Sequence, residues 1–183
     1  MKMTPTIERY ILHWGEMGTR WGVNRSVSQI HALLYLSPAP MTAEEISETL
    51  GIARSNVSTS LKELQSWQLI RVEQKLGDRR DHFTAEKDLW TMLLTIVSER
   101  KRREIDPTLS VLRQTRLEAE DDPEIDPQVK ERMVRMLEFI ETLTEWYEKM
   151  QRLPKSTLIA LMKMGTSVAR FLPKGKAKDS AAD

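Results

Sequence analysis

Apolar residues recur at helical spacing over most of this chain, and the breaks in that rhythm mark its elements. Ile7, Tyr10, Ile11, Trp14, Met17 and Trp21 trace one stripe and predict an N-terminal helix, in which Gly15, Gly18 and Gly22 are poor helix formers that permit close packing. Val27 to Leu36 repeats the rhythm through Ile30, Leu33 and Leu34 and stops before Pro38 and Pro40. Thr42 and Glu45 have the spacing of a capping box, which opens a short helix with Ile46 and Leu50 on one face. Gly51 stands where a helix ends in the left-handed conformation. Val57, Leu61 and Leu64 are the buried stripe of the next helix, leaving Arg54, Ser55, Asn56, Ser58, Thr59 and Lys62 on its other faces.

The rhythm then changes. Leu69-Ile70-Arg71-Val72-Glu73 is short and β-prone, Gly77-Asp78 offers a turn, and Arg79 to Phe83 runs back, which predicts a hairpin. From Lys87 to about Glu104 the helical pattern returns with Leu89, Trp90, Leu93, Leu94 and Val97, until Asp106-Pro107 breaks or kinks it. A further short helix reaches Arg116. Glu118, Glu120, Asp121, Asp122, Glu124 and Asp126, together with Pro123 and Pro127, read as an acidic linker. Beyond it Val129, Met133, Met136, Ile140, Leu143, Tyr147 and Met150 are spaced 4, 3, 4, 3, 4 and 3 apart, a heptad seam that needs a partner helix in a second subunit or in the same chain. Val134, Leu137, Phe139, Trp146 and Leu153 add a second apolar flank. Leu158, Ile159, Leu161, Met162, Val168 and Phe171 predict a last helix, and Lys174 to Asp183 a polar, disordered tail.

Taken together, these elements predict a mainly α protein whose single hairpin belongs to a winged helix-turn-helix. The expected organisation is an N-terminal helix over 1–26, a winged domain over 27–85 and connecting helices over 86–117. An acidic linker over 118–127, a helical dimerisation region over 128–172 and a tail over 173–183 complete it. A helix-turn-helix lays its second helix in the major groove, and a basic loop beside it reaches phosphates or the adjacent minor groove. Arg54, Ser55, Asn56, Ser58, Thr59 and Lys62 are then the candidate DNA-facing residues of the helix, and Lys75, Arg79 and Arg80 those of the wing. Dimeric proteins of this kind match two-fold operators with half-sites roughly 34 Å apart, so a homodimer is expected.

Trp14-Gly15-Glu16-Met17-Gly18, the run from Thr42 to Ile70, and Gly77-Asp78-Arg79-Arg80-Asp81 resemble the GbsR-like branch of the MarR superfamily of winged-helix transcriptional regulators. The resemblance is good from about Ile7 to Trp90 and only architectural beyond it. It implies that Asp78 orients the Arg80 guanidinium toward the minor groove. It also implies a small-molecule effector held between the DNA-binding and dimerisation regions. Some GbsR-like members sense choline, and Tyr10, Trp14, Trp21 and Trp90 are candidate walls of an aromatic cage for it. At helical spacing the same residues are more often plain core. One departure is Ala53, where related sequences carry a Ser or Thr cap, at a cost of about 1 kcal/mol. Two starts are therefore open for this helix, one at Arg54 and one after Ser55, and the second removes Arg54 from it.

Composition narrows the picture further. The 183 residues, 40 % of them hydrophobic, suffice for a core, and the lack of cysteine excludes disulfides, thiolate zinc sites and a cysteine nucleophile. With no signal-peptide core and no membrane-length apolar run, a cytoplasmic protein is expected. His13, His31 and His82 sit on three separate elements, with no paired ligand, phosphate loop or nucleophile elbow, so neither an enzyme nor a metal or cofactor site is expected. Net charge is only +1, and from Met41 to Thr84 six bases face seven acids. DNA affinity must then come from where charge is placed. That acidic balance also supports the rival reading, a winged-helix protein-interaction scaffold without sequence-specific DNA binding. Arg100-Lys101-Arg102-Arg103 is either a solvated helix end or a contact to flanking phosphates.

Overall fold

In the computed structural model, residues 1–165 are described, and they divide at Thr108/Leu109 into two compact units. The first unit contains α1 (Pro5–Arg20), α2 (Arg25–Leu36), β1 (Met41–Thr42), α3 (Ala43–Leu50), α4 (Arg54–Ser66), β2 (Ile70–Lys75), β3 (Asp78–Ala85) and α5 (Leu89–Arg100). One turn of π-helix, Lys101–Ile105, leads from α5 into α6 (Asp106–Asp121). The sheet is antiparallel in the order β1-β3-β2, with Phe83 opposite both Met41 and Val72.

Local chemistry starts and stops these elements. The Ile7 N–H donates to the Thr4 hydroxyl at the head of α1, and Pro5 fills the first turn, where a missing N–H costs nothing. The capping box forms as expected: the Glu45 N–H donates to Thr42 Oγ1 at 3.3 Å, and the Thr42 N–H donates to the Glu45 carboxylate at 2.7 Å. Gly51, at φ 62°, closes α3.

Helix α2 is the centre of the unit. Ile30, Leu33 and Leu34 are fully buried, with Ile46 of α3 and Val57 of α4 in the same core. Helix α1 lies on α2 through buried Gly15 and Gly18, and a Cβ on Gly18 would stand 1.8 Å from Ser28 Oγ and 2.6 Å from Ser28 Cβ. The glycines that weaken α1 as a helix are what let it approach. At the other end of α2, the Lys87 ammonium donates to the carbonyls of Leu34, Tyr35 and Ser37 at 2.6, 2.7 and 2.8 Å. It thus satisfies carbonyls that a helix terminus leaves open and complements the helix dipole.

The second unit pairs part of α6 with α7 (Pro127–Gln151) and α8 (Lys155–Met164). Asp126 caps α7 by accepting from the Gln128 N–H at 2.7 Å, with Pro127 in the first turn. Leu109, Ala119, Leu137 and Leu158 are buried, and Arg113 donates to Glu141 at 2.8 Å across α6 and α7. The heptad residues fall on two adjoining stripes of α7: Met133, Ile140, Tyr147 and Met150 are half-buried, while Val129, Met136 and Leu143 are exposed. Leu137, read as a flank, is the buried residue of this helix. The helix ending at Arg116 in the sequence reading runs on to Asp121, so the acidic stretch begins inside α6. Val168, Phe171 and the 173–183 tail lie outside the described residues.

Gly18→Ala should lower the unfolding free energy by about 1–3 kcal/mol, because Ser28 Cβ cannot rotate out of the way. Urea unfolding measures this, and adding Ser28→Gly should restore much of the loss. A second expectation concerns His31, whose pKa burial, and secondarily the Lys87 charge, push down to about 4. Neutral in the fold and titrating near 6.5 when unfolded, His31 leaves stability untouched above pH 6.5 and lowers it as pH falls toward 4. The loss over that interval should be roughly 2–4 kcal/mol and should be largely absent in His31→Leu, as read by unfolding at stepped pH.

Candidate nucleic-acid interface

Helix α4 begins at Arg54 with Ala53 as an uncapped N-cap, so Arg54 stays on the helix. Val57, Ser60, Leu61 and Leu64 turn inward, which fixes what the opposite faces present. Arg54, Ser58, Lys62 and Gln65 border an open groove of about 360 Å³, whose other bank is Thr42, Ala43 and Glu44 of β1–α3 together with Arg80, Asp81 and Phe83 of β3. Ser55 and Thr59 are exposed on the neighbouring stripe, with the Thr59 hydroxyl donating to the Ser55 carbonyl at 3.1 Å. Asn56 turns elsewhere. Its amide donates to Ser26 Oγ at 3.0 Å and its oxygen accepts from Ser60 at 3.5 Å, so both hydrogen-bonding ends are directed at the protein.

In the wing, Asp78 and Arg80 form a forked pair: Nε donates to Oδ1 at 2.9 Å and Nη2 to Oδ2 at 2.6 Å. The Arg80 N–H donates to the same carboxylate at 3.0 Å. These bonds from Arg80 hold the Asp78 carboxyl well below the usual carboxylate range and raise Arg80 further above its own. A charged guanidinium is therefore fixed in direction beside α4. Lys75 lies opposite Asp78 in the hairpin register and, like Arg79, is exposed. His82 is buried at the base of the hairpin, with Nδ1 3.0 Å from the Arg80 carbonyl and Nε2 3.5 Å from Asp78.

The basic run Arg100 to Arg103 is engaged by groups of the protein itself, while Arg102 and Arg103 stay exposed as a solvated helix end would leave them. Arg100 donates to the Trp21 carbonyl at 2.6 Å and Lys101 pairs with Asp106 at 2.7 Å. Arg102 and Arg103 converge on the buried Glu99 at 2.5 and 3.4 Å, and these arginines hold the Glu99 carboxyl below its usual range. Arg103 also donates to the Ser66 carbonyl at 2.9 Å and lies 5.0 Å over the Trp67 ring. The cluster clamps the C-terminal end of α4.

Tyr10, Trp14, Trp21 and Trp90 do not share one cavity. Tyr10 and Trp14 stack at 6.0 Å, and both line a small space with His31 and Tyr35. Trp14 and Trp21 line a separate cavity of about 80 Å³ among α1, α2, the end of α4 and α5, together with His31, Trp67, Ile96 and Arg100. Trp90 borders neither. Trp67 sits inside the winged segment, apart in sequence from Trp14 and Trp21, and joins their cavity wall only through the fold. Its Nε1 and the Nε2 of His31 are buried without a hydrogen-bond partner. Among the described residues no group of acids and histidines could hold a metal ion.

A helix-turn-helix with a three-stranded sheet, a wing holding an oriented arginine and a polar helix face beside it define the winged-helix class of DNA-binding domain. Residues 21–81 match the model of the MarR family. Among curated proteins, the chain is 22 % identical to the HTH-type transcriptional repressor GbsR of Bacillus subtilis (strain 168), over 74 % of this chain and 77 % of that one. It is 21 % identical to the transcriptional repressor OpcR of the same organism, over 85 % and 83 %. A crystal structure described as a transcriptional regulator superposes with a TM-score of 0.64 at 19 % identity, over 79 % of this chain and 95 % of the other, which bears on the fold alone.

Proposed function

We propose that this chain is a sequence-specific DNA-binding repressor that acts as a homodimer in the cytoplasm and occludes a promoter. The observation that carries the reading is the Asp78-fixed Arg80, held across an open groove from the polar face of α4. A helix in the major groove puts such a wing beside the flanking minor groove, whose phosphates attract a directed guanidinium. Arg54, Ser55, Ser58, Thr59 and Lys62 face outward for bases and phosphates, with Lys75, Arg79 and Arg80 on the wing. Asn56 is held back against α2 and contributes to the placement of α4.

A second copy supplies the symmetry. The exposed stripe of α7, Val129, Met136 and Leu143 with Phe139 and Trp146 alongside, is apolar surface that a soluble monomer rarely leaves in one strip. Pairing it with its twin would present two heads to successive half-sites, while Met133, Ile140, Tyr147 and Met150 pack within the subunit.

An effector is supported by the aromatic cavity containing Trp14, Trp21, Trp67 and His31. Its unpartnered ring nitrogens are a specific place for a polar ligand group, and none of the described residues lining it is acidic. With Arg100 at its edge, the cavity favours an uncharged or anionic ligand with a flat apolar body over a quaternary ammonium. Such a ligand lowers DNA occupancy by binding better to a dimer whose heads are wrongly spaced.

The DNA reading is tested by duplex affinity against salt. Wild-type affinity should fall steeply with salt, and Arg80→Ala should weaken every duplex alike and reduce the slope by about 1. Arg54→Ala should change the preferred base at one position by about 1–3 kcal/mol, and Asn56→Ala should leave the ranking of duplexes intact. Salt-insensitive or absent binding would return the chain to the scaffold reading. For the effector, an aromatic carboxylate such as benzoate should quench tryptophan fluorescence in the wild type and less in Trp67→Phe. Quenching by choline but not by benzoate would reverse the assignment of ligand charge.

A further inference from the structure

The groove between α4 and the wing holds one residue that works against its arginines. Glu44 stands in the first turn of α3, where a helix start favours a negative side chain. Its two oxygens divide between two elements: Oε1 lies 3.7 Å from Arg54 Nη1 on α4, and Oε2 lies 3.8 Å from Arg80 Nη1 on the wing. We infer that Glu44 limits the DNA affinity of this domain, a built-in anion that competes with phosphate for Arg54 and Arg80. The inference rests on the DNA-binding reading above.

The contrast with Asp78 carries the argument. Asp78 grips Arg80 through short hydrogen bonds from two guanidinium nitrogens and from the backbone, so it directs the side chain and can stay in place when DNA arrives. Glu44 makes no hydrogen bond to either arginine. Its ion pairs are long, and both partners are more than half exposed, which is the regime in which a salt bridge adds almost nothing to stability. Such contacts neither orient the guanidinium groups nor hold the fold together. They do occupy them. An anion that reaches Arg54 or Arg80 in the groove comes within several ångströms of the Glu44 carboxylate and is repelled, or else displaces it. Asp81 is the other carboxylate bordering the groove.

Salt dependence gives the inference a signature. An arginine already neutralised by Glu44 holds fewer mobile anions, and a fixed negative charge inside the interface opposes the cation release that drives binding. Removing the carboxylate should therefore tighten binding and steepen its dependence on salt together. Glu44→Gln should bind operator and random duplexes three- to tenfold more tightly at low ionic strength. Its slope of log affinity against log salt should steepen by up to about 1, so that the gain shrinks as salt rises. Glu124→Gln, in the acidic connector, removes the same formal charge and should leave affinity unchanged. The urea midpoint of Glu44→Gln should fall only slightly, by the loss of one first-turn charge on α3, so that tighter binding cannot be read as a gain in folding.

Weaker binding by Glu44→Gln would mean that the carboxylate positions the arginines, and unchanged affinity with unchanged slope would mean that it has no part in binding. Either result overturns the inference while the DNA reading stands, provided the wild type binds DNA with a steep salt slope. Absence of binding by wild type and Glu44→Gln alike overturns both.

Discussion

The head of this protein hangs on the burial of α2. Ile30, Leu33 and Leu34 are buried to within 1 % of their surface, and α1, α3, α4 and β3 all pack around that helix. A helix buried on several sides needs its neighbours at short range and its open carbonyls satisfied. Gly15 and Gly18 meet the first need by removing the side chains of α1 where it meets Ser28 and Gln29. Lys87 meets the second with hydrogen bonds to the Leu34 and Tyr35 carbonyls of α2 and to that of Ser37, its C-cap. Because Lys87 lies two residues beyond the end of β3, the same ammonium ties the root of the wing to the core, so the position of Arg80 depends on packing far from the groove.

Charge in this domain works through placement, since its acids slightly outnumber its bases. Three carboxylates illustrate how geometry sets the outcome. Asp78 is bound by its arginine at hydrogen-bond distance and directs it outward. Glu99 is buried and gathers Arg102 and Arg103, and through Arg103 it fastens the end of α4. Glu44 sits loosely between two arginines and is close enough only to neutralise them. The side-chain types are nearly the same in all three, and depth with distance decides between orienting, fastening and competing.

Much of the architecture was legible because its signals are local. The Thr42–Glu45 box and the Gly51 ending each involve residues within five positions of one another, the hairpin folds back at a two-residue turn, and each forms in the structure, as does the Asp78–Arg80 pair that the resemblance implied. The start of α4 was left open between Arg54 and Ser55 and settles at Arg54, because the packing of Val57, Leu61 and Leu64 holds the helix despite its missing cap. The heptad pattern of α7 was equally visible, yet periodicity says which residues share a stripe and not which stripe faces the subunit's own core. Leu137, off the seam, became the buried position.

What the sequence determined by itself is therefore the order and type of the elements and the chemistry displayed on each, since caps, turns and stripes are interactions between near neighbours in the chain. What only the tertiary structure decided is which displayed groups remain available. Asn56 is drawn to Ser26 across 30 positions, Lys87 to Leu34 across 53 and Arg100 to Trp21 across 79. Residues so far apart meet only after the core has formed, so their side chains look equally exposed in the sequence and part company in the fold.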